Sequence, residues 1–175
     1  MIEILRKRRS IRKFEPRAVE QEKVEILIEA LLRAPSSRGL NPWEFVVVTD
    51  PAVLQSLARA KPHGAEFLAR APLAFVIAAD PQRCDVWTED CAIAAITLQL
   101  AAVSLGLGSC WAQIRLRPHG NGGTAEAFVR EQVGLPEEMA VDCIIGIGYP
   151  DEVKPAHPHS TLPFNKIHRE RFGGK

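Results

Sequence analysis

The chain of 175 residues has few cysteines, and the four present, Cys84, Cys91, Cys110 and Cys143, include no C-x-x-C pair. None lies beside a histidine at metal-ligand spacing, which argues against a zinc site or a dithiol redox motif. Cys91, Cys110 and Cys143 sit in apolar stretches and read as small buried hydrophobes of a reduced compartment. Among the scattered histidines only His157 and His159 are close, without a carboxylate or cysteine beside them. No sign of charge dominates either: 22 Lys and Arg against 21 Asp and Glu leave a net charge of +1. A balanced chain has no global field toward nucleic acid or a membrane surface. Long hydrophobic runs are missing, because the longest, Cys91 to Val103, is too short to span a bilayer and carries Thr97 and Gln99. Met1 to Arg9 lacks the apolar core of a signal peptide. These absences predict a soluble, cytoplasmic protein with no nucleic-acid or membrane partner. Also absent are G-x-S-x-G and a Walker motif, and the Gly106-Leu107-Gly108 pair follows a helical pattern and precedes a strand, the reverse of a Rossmann fingerprint.

What is there is an ordinary globular composition, 46% hydrophobic and 25% charged, sized for one domain over residues 1–175. Val24, Leu27, Ile28, Leu31 and Leu32 make one helical stripe after Pro16, stopped by Pro35. Glu44 to Thr49 is a β-branched run and predicts a buried strand. Asp50-Pro51 fits an N-cap with proline at the first helical position. Leu73 to Ala79 predicts a second strand. Asp85 to Leu105 predicts a long helix of about 30 Å. Its middle is apolar nearly all round, as in a core centre or a subunit interface. Ser109 to Ile114 and Ala140 to Gly148 complete four strands, with a helix over Thr124 to Val133 between them. Pro150, Pro155, Pro158 and Pro163 predict an extended tail that reaches over something, plausibly a second subunit, with a short basic helix near Asn165 to Phe172. The order gives an α+β fold, three layers with a mixed sheet.

Three segments could carry chemistry. In Arg6 to Lys13, six of eight residues are basic. Guanidinium groups bind phosphate bidentately and Ser10 adds a neutral donor; a solvated basic face and a nucleic-acid patch are the competing readings. Ala34 to Trp43 is a polar loop stiffened by prolines at both ends, able to hold a planar heterocycle or simply to turn. Leu105 to Trp111 carries two glycines that allow close backbone approach or cap a helix. Glu89 and Asp90 read as the polar first turns of the long helix.

Taken in order, RRSIRKF (Arg8 to Phe14), APSSRGLNPWEFVVV (Ala34 to Val48), LGLGSCW after the long helix and GIGYPDEVKP (Gly146 to Pro155) resemble the FMN-dependent nitroreductase family. The ending KIHRERF is similar to a short-chain subgroup. The resemblance implies a three-layer α/β/α fold with a mainly antiparallel sheet around a long helix, and an arm over residues 150–175 that crosses to the partner of a homodimer. It implies FMN as cofactor, NAD(P)H as co-substrate, and a ping-pong reaction that passes electrons to a small acceptor such as a nitroaromatic or quinone. It implies no protein acid or base, since flavin N5 carries the chemistry. Arg8, Arg9 and Ser10 would hold the phosphate and ribityl chain, and Arg12 would sit near N1 and the C2 carbonyl, where reduction builds negative charge. Pro35, Ser36, Ser37, Gly39 and Asn41 would approach from the partner subunit. Gly108, Ser109, Cys110 and Trp111 would lie along the ring or phosphate. Relatives often carry asparagine at the position of Gly39 and glutamine at that of Asn41. Many also place a cation in the tail where this chain has His157 to Thr161, which leaves Lys166, Arg169 or Arg171 to compensate. The alternative from another class is a non-catalytic flavin- or nucleotide-binding module, or a basic-patch nucleic-acid binder.

Overall fold

A computed structural model describes residues 1–120 and 122–174. Helices α1 (Ile2–Lys7), α2 (Gln21–Leu32), α3 (Pro51–Leu57), α4 (Trp87–Ser104) and α5 (Ala125–Val133) alternate with strands β1 (Trp43–Val48), β2 (Leu73–Ala79), β3 (Gly108–Gln113) and β4 (Ala140–Gly148). The sheet runs β1-β2-β4-β3 with every neighbouring pair antiparallel. The parallel contribution is the single bridge between Ser10 and Ser109 on the outer edge of β3.

The unbroken apolar run of β2 serves two cores, because successive side chains point to opposite faces. Leu73, Phe75, Ile77 and Ala79 face α2 and α4, where Leu27, Leu31, Ala94, Ala95 and Leu98 close the layer. Ala74, Val76 and Ala78 face α3 and α5, where Leu54, Leu57 and Val129 do the same. The result is the three-layer α+β arrangement. Three of these helices have a local reason to start or stop. Asp50 accepts from the amides of Ala52 and Val53 at 2.7 and 3.4 Å, ahead of Pro51 at the first turn of α3. Thr124 caps α5 through the Ala127 amide at 3.1 Å, and Gly134 ends it at φ 68°. Gly106, at φ 76°, turns the chain from α4 toward β3.

One element was not expected and one expected element is absent. The basic run from Arg6 to Lys13 is not one segment: Arg6 and Lys7 form the last turn of α1, where cations suit the helix dipole. No periodicity announced α1, which is six residues long and buries none of them. The basic helix expected over Asn165 to Phe172 does not form. Among its described residues the tail contains only the 3₁₀ turns His159–Thr161 and Phe164–Lys166, and every residue from 155 to 173 is exposed. A short helix without a packing face does not hold in water.

Candidate functional site

The basic segment and the start of β3 come together as the sequence pattern suggests. The Ile11 amide donates to the Ser109 carbonyl at 3.0 Å, next to the Ser10–Ser109 bridge. Ile11 then drops into the core, and a Cβ on Gly108 would stand 2.8 Å from the Cβ of Ile11. Glycine at 108 is therefore what lets the basic segment lie this close to β3. Phe14 is the second anchor, buried on the same core as Ile11. Between these apolar anchors Arg12 and Lys13 stand exposed, with Arg8 and Arg9 half-buried just before them. Among the described residues none of Arg8, Arg9, Arg12 and Lys13 forms a salt bridge. Four cations within six residues, without a carboxylate partner, concentrate positive charge in a chain whose net charge is +1.

Beneath this segment the side chains of Ser109 and Cys110 are buried, and Trp111 is half-buried. The Ser109 hydroxyl donates to Gln99 Oε1 of α4 at 3.3 Å, and Trp111 Nε1 to Gln113 at 2.9 Å. Burial pushes the Cys110 thiol above its ordinary pKa, while Arg12, Lys154 and the Ser10 hydroxyl pull the other way. Lys61 was not singled out by any sequence pattern. It lines a cavity of about 540 Å³ with Arg59, Glu66, His119 and Phe128. Burial and the nearby Arg117 lower its pKa from the usual lysine range.

The loop from Pro35 to Asn41 is built differently. Arg38, Gly39 and Asn41 all have positive φ, at 55°, 65° and 46°. Such a backbone needs a tether, and Ser36 supplies one: its hydroxyl accepts from the Asn41 amide at 2.9 Å and donates to Asn41 Oδ1 at 2.7 Å. A second tether comes from Asp90, which is 2% exposed. Its carboxylate accepts from the Ser37 amide at 2.8 Å and from the Cys84 thiol at 3.4 Å. Arg38 pairs with Asp85. Asp90, read from sequence as part of a polar first turn, is the buried pivot of this loop, whereas Glu89 beside it is exposed. Burial was not legible because adjacent acidic residues at a helix start look alike in one dimension.

Within one chain the loop and the basic segment do not share hydrogen bonds among the described residues. The loop docks on α4 at Asp90 and β3 docks on it at Gln99, nine residues on, about 14 Å along the axis at 1.5 Å per residue.

The Nitroreductase family model matches residues 5–63 and 52–149. The chain belongs to the nitroreductase family. A solved structure titled FMN-dependent nitroreductase from Clostridium difficile R20291 superimposes with a TM-score of 0.95 at 48% identity, over 98% of this chain and 100% of that one. An Archaeoglobus fulgidus protein provisionally named NADH dehydrogenase/NAD(P)H nitroreductase is 34% identical, over 94% of both chains. The NADPH-flavin oxidoreductase of Vibrio harveyi is 34% identical over 97% of this chain and 75% of its own length. Membership accounts for the three-layer fold and for the order of the basic segment, the polar loop and β3 along the chain.

The donors present suit a flavin mononucleotide. Guanidinium groups and a serine hydroxyl match a phosphate and ribityl chain, and an uncompensated cation matches a ring that gains negative charge on reduction.

Proposed function

We propose that this nitroreductase-family chain is an FMN-dependent NAD(P)H oxidoreductase. It works as a homodimer and passes electrons in two half-reactions to a small acceptor such as a nitroaromatic or quinone. The observation that carries the reading is the group of cations Arg8, Arg9 and Arg12, none in a salt bridge among the described residues, on a segment pinned beside Ser109. When bound, FMN supplies the hydride chemistry, so the protein's task is to bind, orient and stabilise charge. Arg8, Arg9 and Ser10 take the phosphate end. Arg12 faces the pyrimidine side, where a fixed cation favours the reduced state. Gly108, Ser109, Cys110 and Trp111 form the wall behind them.

The loop residues Pro35, Ser36, Ser37, Gly39 and Asn41 reach the cofactor from the second copy, a reading supported by their separation from the basic segment along α4. The outward face of α4 supports the same assembly: Ile93 and Ile96 are each 38% exposed although their helix is apolar nearly all round. The tail adds Leu162, Phe164, Ile167 and Phe172 to the exposed apolar surface. One domain over residues 1–175, with its arm laid on the partner, covers both surfaces. No described helix is long and apolar enough to cross a membrane. Four free, buried thiols suit the reduced cytoplasm.

The test is a titration of flavin-free protein with FMN, followed by NADH or NADPH without oxygen. The proposal expects a yellow complex that either nicotinamide bleaches and an added quinone restores. Protein that stays colourless, or a yellow complex indifferent to both nicotinamides, overturns it.

A further inference from the structure

The passage from β4 into the tail lies back across the basic segment. The Glu15 amide donates to the Tyr149 carbonyl at 2.9 Å and the Asp151 amide to the Lys13 carbonyl at 2.9 Å, on either side of a bridge between Phe14 and Pro150. Two side chains then extend the grip toward Ser10. Glu152 Oε1 accepts from the backbone amides of Arg12 at 2.6 Å and Lys13 at 3.2 Å. Lys154 Nζ donates to the Ser10 carbonyl at 2.7 Å and pairs with the same Glu152 oxygen at 3.2 Å. Arg9 closes the set on the Pro155 carbonyl. Both side chains are largely withdrawn from water, with 19% of Glu152 and 26% of Lys154 exposed.

We infer that Glu152 and Lys154 are positioning residues, a neutral clamp that holds Arg9 to Lys13 in the shape that presents their cations to the cofactor. The inference rests on the flavin reading above.

Three arguments support it. Adjacent cations repel one another, and the β3 side contributes one backbone bond to this stretch, Ile11 to Ser109. Something must oppose the repulsion. Consecutive amides aimed at one point form an anion-binding concavity. Here the protein fills it with its own carboxylate, so a bound phosphate meets the arginine side chains instead. Finally, a lone carboxylate at this place would cancel the field of Arg12. The ammonium of Lys154 neutralises Glu152 at close range and leaves the arginines uncompensated.

The test compares Glu152→Ala, Glu152→Gln and Lys154→Ala by amide hydrogen exchange, FMN titration and flavin midpoint potential. In Glu152→Ala, exchange at the Arg12 and Lys13 amides rises while the amides of β2 and β4 stay protected. FMN affinity falls about tenfold, the worth of one hydrogen bond to a charged group. Glu152→Gln keeps an acceptor oxygen and holds FMN affinity within about threefold of wild type. Lys154→Ala leaves the two amides protected but lowers the potential, because Glu152 is then uncompensated.

A folded Glu152→Ala protein with wild-type FMN affinity overturns the inference. So does a loss of affinity matched by loss of protection throughout the sheet, which is a merely structural effect. Wild-type protein that binds no FMN removes the flavin reading itself. That failure is told apart by the exchange pattern, which Glu152→Ala still changes at Arg12 and Lys13 alone.

Discussion

The basic segment and the polar loop are both irregular backbone on the same three-layer frame, yet they are held in opposite ways. Residues 9–13 are held from outside, by β3 on one edge and by residues 151–155 on the other, more than 130 positions away in sequence. The loop at 35–41 is held partly from within, by Ser36 and Asn41, and partly by the nearby residues 83–90, with Asp90 as a buried anchor and Arg83 donating to the Leu40 carbonyl. The first arrangement displays charge and leaves it unpaired. The second fixes a shape and spends its charged residue, Arg38, on Asp85. A cofactor site that needs an anion cradle and a rigid wall can draw one from each.

Substitutions should separate the two. The largest effect is expected at Arg8, whose removal in Arg8→Ala takes one charge-assisted contact from the phosphate. FMN affinity should fall by about 10- to 100-fold, read by fluorescence titration, with the unfolding midpoint unchanged. An equal loss of stability would mean that the segment's cations build the fold. Asp90→Ala should do the reverse. It strands the Ser37 amide and the Cys84 thiol in a buried place, at about 1–3 kcal/mol of stability in denaturant unfolding. Unaltered stability would demote Asp90 to a surface group.

Ser36→Ala removes both tethers to Asn41 and should cost about 0.5–1.5 kcal/mol, with the change confined to exchange within the loop. The smallest effect concerns pH. The amide of Arg12, first among several donors, holds the carboxyl of Glu152 below the ordinary glutamate range. A lowered folded-state pKa gives a contribution that is complete above the unfolded value and is lost as pH falls through the folded one. The protection that Glu152 gives the Arg12 and Lys13 amides, corrected for intrinsic exchange, should thus be flat from neutral pH down past the usual carboxylate range and decline only in stronger acid. A decline beginning near neutrality would implicate another group.

The same contrast explains what could be read in one dimension. The strands Leu73 to Ala79 and Ala140 to Gly148 were legible to the residue, because buried apolar runs bounded by turn residues leave little choice. Asp50-Pro51 announced its helix through local capping chemistry. The motifs at 8–14, 35–41 and 108–111 were visible as composition, and their order carried the family resemblance. The partners that hold them were not visible. Nothing in Glu152 or Lys154 points to residue 12 until β4 delivers the tail there. Nothing in Asp90 tells it from Glu89 until α4 turns one of them inward. Helix α1 was missed because it packs no stripe, and the terminal helix was expected from basic composition that no packing supports.

The claim that binds these regions together is that each FMN site takes its cations from one chain and its loop from the other. Mixed dimers test it. One chain carries Arg8→Ala with Arg12→Ala. The other carries Gly39→Trp, at a position where an added Cβ meets nothing within 4 Å of its own chain, the φ of 65° being the strain that any side chain there must bear. Neither variant alone should hold FMN. Refolded together at equal amounts they should recover about a quarter of wild-type occupancy, since half of the random dimers contain one intact site of two. Full binding by the Gly39→Trp chain alone, or no recovery on mixing, would contradict the shared site.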